Sequence, residues 1–153
     1  MDNTRRIDYE GFLQKYRCPV IHEYILGYYA HLIADDLWLK GVYLPWLRNR
    51  MAHDNSLQAL YHHDFQLLNG KLLEHYQLSK KLKQLFSTYP STIVDLDEVK
   101  ALDVEKFVPY VVGDMQYDRT SVEEDLNVFT LDQIIGYIET SIELAKWRIK
   151  SLI

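Results

Sequence analysis

Cysteine is almost absent from the chain. Cys18 is the only one, which excludes an intrachain disulfide and any zinc cluster built on several thiolates, and which suits a reducing cytoplasm. It has no recognisable histidine partner for a catalytic thiol. Long apolar runs are also missing. The longest, around PVIHEYILGYYAHLIADDLWL, is interrupted by His31, Asp35 and Asp36, so a membrane-spanning helix and stable membrane insertion are not expected. The opening MDNTRRIDYEGF contains no apolar core of the kind a secretory leader needs. Positive charge is scarce: 17 Lys and Arg stand against 22 Asp and Glu, a formal net charge of -5, which argues against nucleic acid as a partner. G-x-S-x-G, P-loop and G-x-G-x-x-G patterns do not occur. Nor is there an internal repeat, a low-complexity tract or a linker.

What is present is the composition of an ordinary globular protein: 153 residues, 48% hydrophobic and 25% charged, with twelve Tyr and three Trp. A chain of this length is expected to form a single domain that buries roughly two thirds of its unfolded surface. The patterning is helical throughout, which predicts an all-α, multi-helix bundle organised around one central helix at about 19–39. Pro19 suits the first helical position, Glu23 lies in the first turn, and Gly41 marks the expected end. At about 100° per residue, His22, Asp36 and Lys40 share the stripe expected to face water, while His31 and Asp35 fall among Val20, Tyr24, Gly27 and Trp38 and are expected to point into the core. The aromatic group Tyr24, Tyr28, Tyr29, Trp38, Tyr43 and Trp46 reads as core and core rim rather than as a stacking pocket.

Around this helix the remaining elements follow in order. Asp8 can cap a short helix to about Arg17 that turns Tyr9, Phe12, Leu13 and Tyr16 inward. Beyond Gly41, VYLPWLRNRM reads as a short helix or loop containing Pro45. Asp54, Asn55 and Ser56 compete to cap a long helix to about Tyr76, with an apolar arc of Leu57, Leu60, Tyr61, Leu67, Leu68 and Leu72. Asp64 lies near the centre of that arc and His75 about 20° from it by helical phase; His62 projects outward and His63 lies on the flank. Gly70 is a weak point in the helix, costing on the order of 1 kcal/mol relative to Ala. Ser79 can start a further helix whose Lys80, Lys81 and Lys83 read as a solvated face. Residues 89–120 are poorly patterned: Pro90 and Pro109 interrupt them, Ile93 and Val94 could be extended, and short helices are expected. Thr130 with Gln133 makes a capping-box pattern before a clean amphipathic helix to about Leu152.

Two helices are thus each expected to bury a carboxylate and an imidazole: Asp35 with His31, and Asp64 with His75. Spacing leaves two readings open. A divalent cation such as zinc, manganese or iron could hold all four, relieve the burial of both carboxylates and acidify a bound water. Alternatively, His31 and Asp35 bond each other or Tyr hydroxyls, and Asp64 pairs with Lys71.

The run from Glu23 to Trp38, above all LGYYAHLIADDLW, resembles the signature of the zinc-dependent phospholipase C-like family, in which a leucine- and glycine-rich helix carries H-L-x-x-D-x-L-W. YHHDFQLLN, from Tyr61 to Asn69, is similar to a second segment of that family that carries an aspartate. Together the two stretches cover about a sixth of the chain. The resemblance implies an all-helical fold and metal-dependent hydrolysis of a small-molecule phosphoester, with His31 and Asp35 as metal ligands and Asp64 as a third; helical phase alone suggests His75 as a fourth, with His63, which the second segment also contains, as the alternative. The family's H-x-x-x-E pair does not occur here, and His22 is the sole histidine before His31. The expectation is therefore a metal-dependent, phospholipase C-like protein, intact or catalytically degenerate, in the cytoplasm and compatible with a homo-oligomer. The alternative from another class is a non-catalytic helical binding or assembly module.

Overall fold

The computed structural model describes residues 6–18, 22–87 and 93–152, and among them the chain is all-α, with no strand. The helices are α1 (Tyr9–Tyr16), α2 (Glu23–Trp38), a π-helical segment (Leu39–Leu47), α3 (Arg48–His53), α4 (Leu57–His75), α5 (Ser79–Ser87), α6 (Ala101–Asp114), α7 (Arg119–Glu123) and α8 (Leu131–Lys150). No described helix is long and apolar enough to cross a membrane. The chain gathers into two compact units, the first from residues 1–56 and 132–153, the second from 57–131.

In the first unit, Asp8 caps α1 as its sequence position requires, accepting from the Gly11 N–H at 3.0 Å. Phe12 and Leu13 are buried, and Phe12 stacks on Tyr28 of α2 at 4.8 Å. The inner stripe of α2 is Ile25, Tyr29, Ile33 and Asp36, steps of four, four and three that keep one helical face. Tyr29 sits under Tyr9 and donates to Glu10, and Arg148 of α8 donates to both Glu10 and the Tyr9 hydroxyl. Burial and the Glu10 carboxylate push the Tyr29 hydroxyl above its ordinary value, against the opposing pull of Arg148. Helix α8 is fixed to α2 by Tyr137, whose hydroxyl donates to the Ala34 carbonyl at 2.9 Å and whose ring meets Trp38 edge-on at 5.0 Å. Tyr24, Tyr28, Trp38, Tyr43 and Trp46 are half-buried, a core rim as their clustering implies.

Two expectations are corrected. Gly41 does not end the central helix. Helical backbone continues from Glu23 to His53, widening to a π-helix across the residues that contain Pro45. Proline lacks the N–H and its ring crowds the carbonyl one turn back, so a wider turn accommodates it where a regular α-turn would not. The water-facing stripe is also different: Asp36 is 7% exposed and bonded to Lys40 at 2.7 Å, whereas His31 is exposed and Asp35 half-exposed. Pro19 and Val20 lie outside the described residues.

In the second unit, Leu57, Leu67, Leu68 and Leu73 of α4 are buried with Leu96, Met115 and Phe129, while Leu60 and Phe65 reach solvent. Asp54 organises the turn before α4, accepting from Ser56 N at 2.9 Å and Ser56 Oγ at 2.6 Å. Helix α7 is capped by Asp118, which accepts from Ser121 N and Oγ, both at 2.7 Å. It packs on α4 through the Lys71 ammonium, which donates to the Val122 carbonyl at 2.6 Å. Within 89–120, of which 93–120 are described, α6 is a single 14-residue helix containing Pro109, longer than the short pieces expected. Ile93 and Val94 form no strand.

Gly70 proves to be a requirement where the sequence suggested a weakness. A Cβ built there would lie 2.8 Å from Cγ and 3.1 Å from Cβ of Tyr117, the stiff base of that side chain. Gly70→Ala should therefore destabilise by about 1–3 kcal/mol, despite the better helix propensity of alanine. The check is urea unfolding with Tyr117→Ala as a second background, in which the Gly70→Ala penalty should largely disappear.

Candidate functional site

Two of the residues singled out by sequence share a site, and both stand on α2. His31 Nε2 lies 3.3 Å from Asp35 Oδ2, with side chains 62% and 45% exposed. The four-residue spacing places them on adjacent turns of one face, and the Tyr28 ring meets the His31 ring edge-on at 5.9 Å. The prediction that they point into the core is overturned. The cause is the composition of α2, which is apolar on nearly every side, so that periodicity alone does not fix its phase. Ile25, Tyr29 and Ile33 took the inner stripe.

Asp64 is as buried as its phase requires, with no exposure to solvent. Its carboxylate is wholly engaged by the segment leading into α8. Oδ1 accepts from the Asn127 backbone N–H at 2.7 Å and from Asn127 Nδ2 at 3.3 Å; Oδ2 accepts from Val128 N at 2.7 Å and Phe129 N at 3.1 Å. Burial raises its pKa, and the backbone N–H groups of Asn127, Val128 and Phe129 with the Asn127 amide lower it by more, so that the group stays ionised below its ordinary 3.8. The alternative pairing with Lys71 is not formed: Lys71 bonds Val122, and Asp64 holds backbone.

The two remaining candidates stand on α4 with neighbours of their own. His75, expected near the buried face, is exposed at the last turn of α4, its ring edge-on to Tyr76 at 4.7 Å. His63 sits on the flank, as its phase implied, and Nε2 pairs with Glu124 Oε1 at 2.7 Å. Among the described residues no group of three or more His, Cys, Asp or Glu side chains is placed to hold a metal ion. The chain matches no family model, no curated protein and no solved structure.

The arrangement in the second unit that sequence reasoning missed is the receiving segment, Asn127–Val128–Phe129. No residue type signals it, because the donors are backbone N–H groups that any sequence carries. A buried acid on a helix face is the one legible half of the contact.

Asp64→Asn should cost about 3 kcal/mol, since an amide cannot accept on both sides and leaves buried N–H groups unpaired. The folded-state pKa lies below the unfolded one, so the carboxylate's stabilisation is complete above about pH 4 and is lost as pH falls below it. Urea midpoints taken from pH 6 to pH 2 should fall in the wild type and fall less in Asp64→Asn, which starts lower.

Proposed function

We propose that the chain is a phospholipase C-like helical module that handles a phosphoester with a divalent cation, zinc in the first instance, at His31 and Asp35. The observation that carries this reading is the pair itself. An imidazole and a carboxylate, one helical turn apart and open to solvent, lie inside the H-L-x-x-D-x-L-W run, where the resemblance puts metal ligands. Nitrogen and oxygen donors of this kind suit zinc.

The pair fits two positions of a coordination shell, and Asp64 does not fit a third, because both its oxygens are taken by N–H donors inside the second unit. Catalytic zinc sites use three protein ligands, so His31 and Asp35 constitute a half-site that water and phosphoester oxygens can share. A cation bound there would acidify a coordinated water and polarise a phosphoryl oxygen. The lone, exposed Cys18 supports a cytoplasmic location for this activity. A second reading, a non-catalytic helical binding module, is favoured by the apolar groove between α2 and α8 described below.

Calorimetric titration of the purified protein with zinc should give one site, with affinity reduced at least tenfold in His31→Ala and in Asp35→Asn and unchanged in His75→Ala. Zinc-dependent hydrolysis of a chromogenic phosphodiester should be lost in the same two variants. Binding that survives both substitutions would sink the metal assignment. Binding without turnover would leave a cation-holding module that has lost its chemistry.

A further inference from the structure

The first unit carries an apolar groove of about 490 Å3 along the seam of α2 and α8. Its walls are Ala30 and Ala34 on one side and Ile138, Ile142, Ala145 and Ile149 on the other. The two alanines stand one turn apart and leave the α2 wall low, which makes the space; the α8 residues repeat every three or four positions and run it along the helix for roughly 16 Å at 1.5 Å per residue. Polar groups are kept out of it. The Ser141 hydroxyl donates to the Tyr137 carbonyl at 2.8 Å and the Tyr137 hydroxyl to Ala34, so neither is left to face a ligand.

Charge enters only at one end. Lys146 and Lys150 line the groove on the last turns of α8. Lys146 is bonded to Glu143 at 2.8 Å, but its side chain remains 59% exposed and able to turn to a second anion. Glu143, paired with Lys146, and the partial negative charge of the α8 C-terminus reduce the positive charge here, and Lys150 is the cation without a direct carboxylate bond on α8. A long apolar trough of this volume, in the range of small-molecule sites, with cations at a single end, is complementary to a molecule with the opposite arrangement. We propose that the groove binds a single-chain anionic amphiphile, an alkyl chain lying between α2 and α8 with its acidic head at Lys146 and Lys150. A carboxylate and a phosphate monoester head share this chemistry.

The test uses the full chain without added metal, titrated calorimetrically with dodecanoate and with dodecyl phosphate below their micellar concentrations. Saturable one-to-one binding is expected, weakened about tenfold for decanoate by the loss of two methylenes. Tighter binding of dodecyl phosphate than of dodecanoate would assign a phosphate head, and the reverse a fatty acid. Ala34→Phe, which fills the trough, should abolish binding. Should that variant fold poorly, Lys146→Glu combined with Lys150→Glu, both at the surface, should weaken the anions about fivefold while leaving dodecanol unchanged. No saturable binding overturns the proposal, as does dodecyltrimethylammonium binding as tightly as dodecanoate.

Discussion

A carboxylate with no access to water is costly unless its charge is met, and at position 64 it is met by the backbone. Asn127, Val128 and Phe129 turn three successive N–H groups toward Asp64, at 2.7, 2.7 and 3.1 Å. The bond is reciprocal in its consequences. Those N–H groups belong to an irregular segment, with no helix of its own to satisfy them, and the carboxylate gives them acceptors. The acid thereby fixes residues 127–129 over the middle of α4 and sets Phe129 in the core, where its ring meets Tyr61 and Phe65. Helix α4 is further used along its length: Gly70 admits Tyr117, Lys71 reaches Val122, and His63 reaches Glu124. One helix thus receives Tyr117, Val122, Glu124 and residues 127–129 at positions spaced along its length.

The same contact decides what Asp64 can do. Four hydrogen bonds occupy its two oxygens, and a ligand role would have to break charge-assisted bonds worth more than ordinary ones. His31 and Asp35 on α2, by contrast, are open to solvent. Helix α2 shows how its inward charge is managed differently. Asp36, 7% exposed, is met one turn on by the ammonium of Lys40 at 2.7 Å, whose side chain is itself 63% exposed.

Element types and several boundaries were readable from residues alone. Asp8, Asp54 with Ser56, and the apolar period of α8 each work locally, through contacts within a few residues, and the structure has helices beginning where those signals stand. Pro45 and Pro109 misled because proline is read as a break, whereas a helix already held by packing tolerates it by widening or by losing one bond.

The all-α class, the starts of α1, α4 and α8 and the burial of Asp64 were determined by the sequence itself, since each depends on spacing along one helix. Tertiary structure alone decided which side of α2 turns inward, what satisfies Asp64, and why Gly70 must be glycine. The physical reason is common to all three. A helix apolar on nearly every side has no preferred phase until a neighbour covers one stripe, and backbone donors or a Tyr117 ring arriving from more than forty residues away leave no mark in the local pattern they complete.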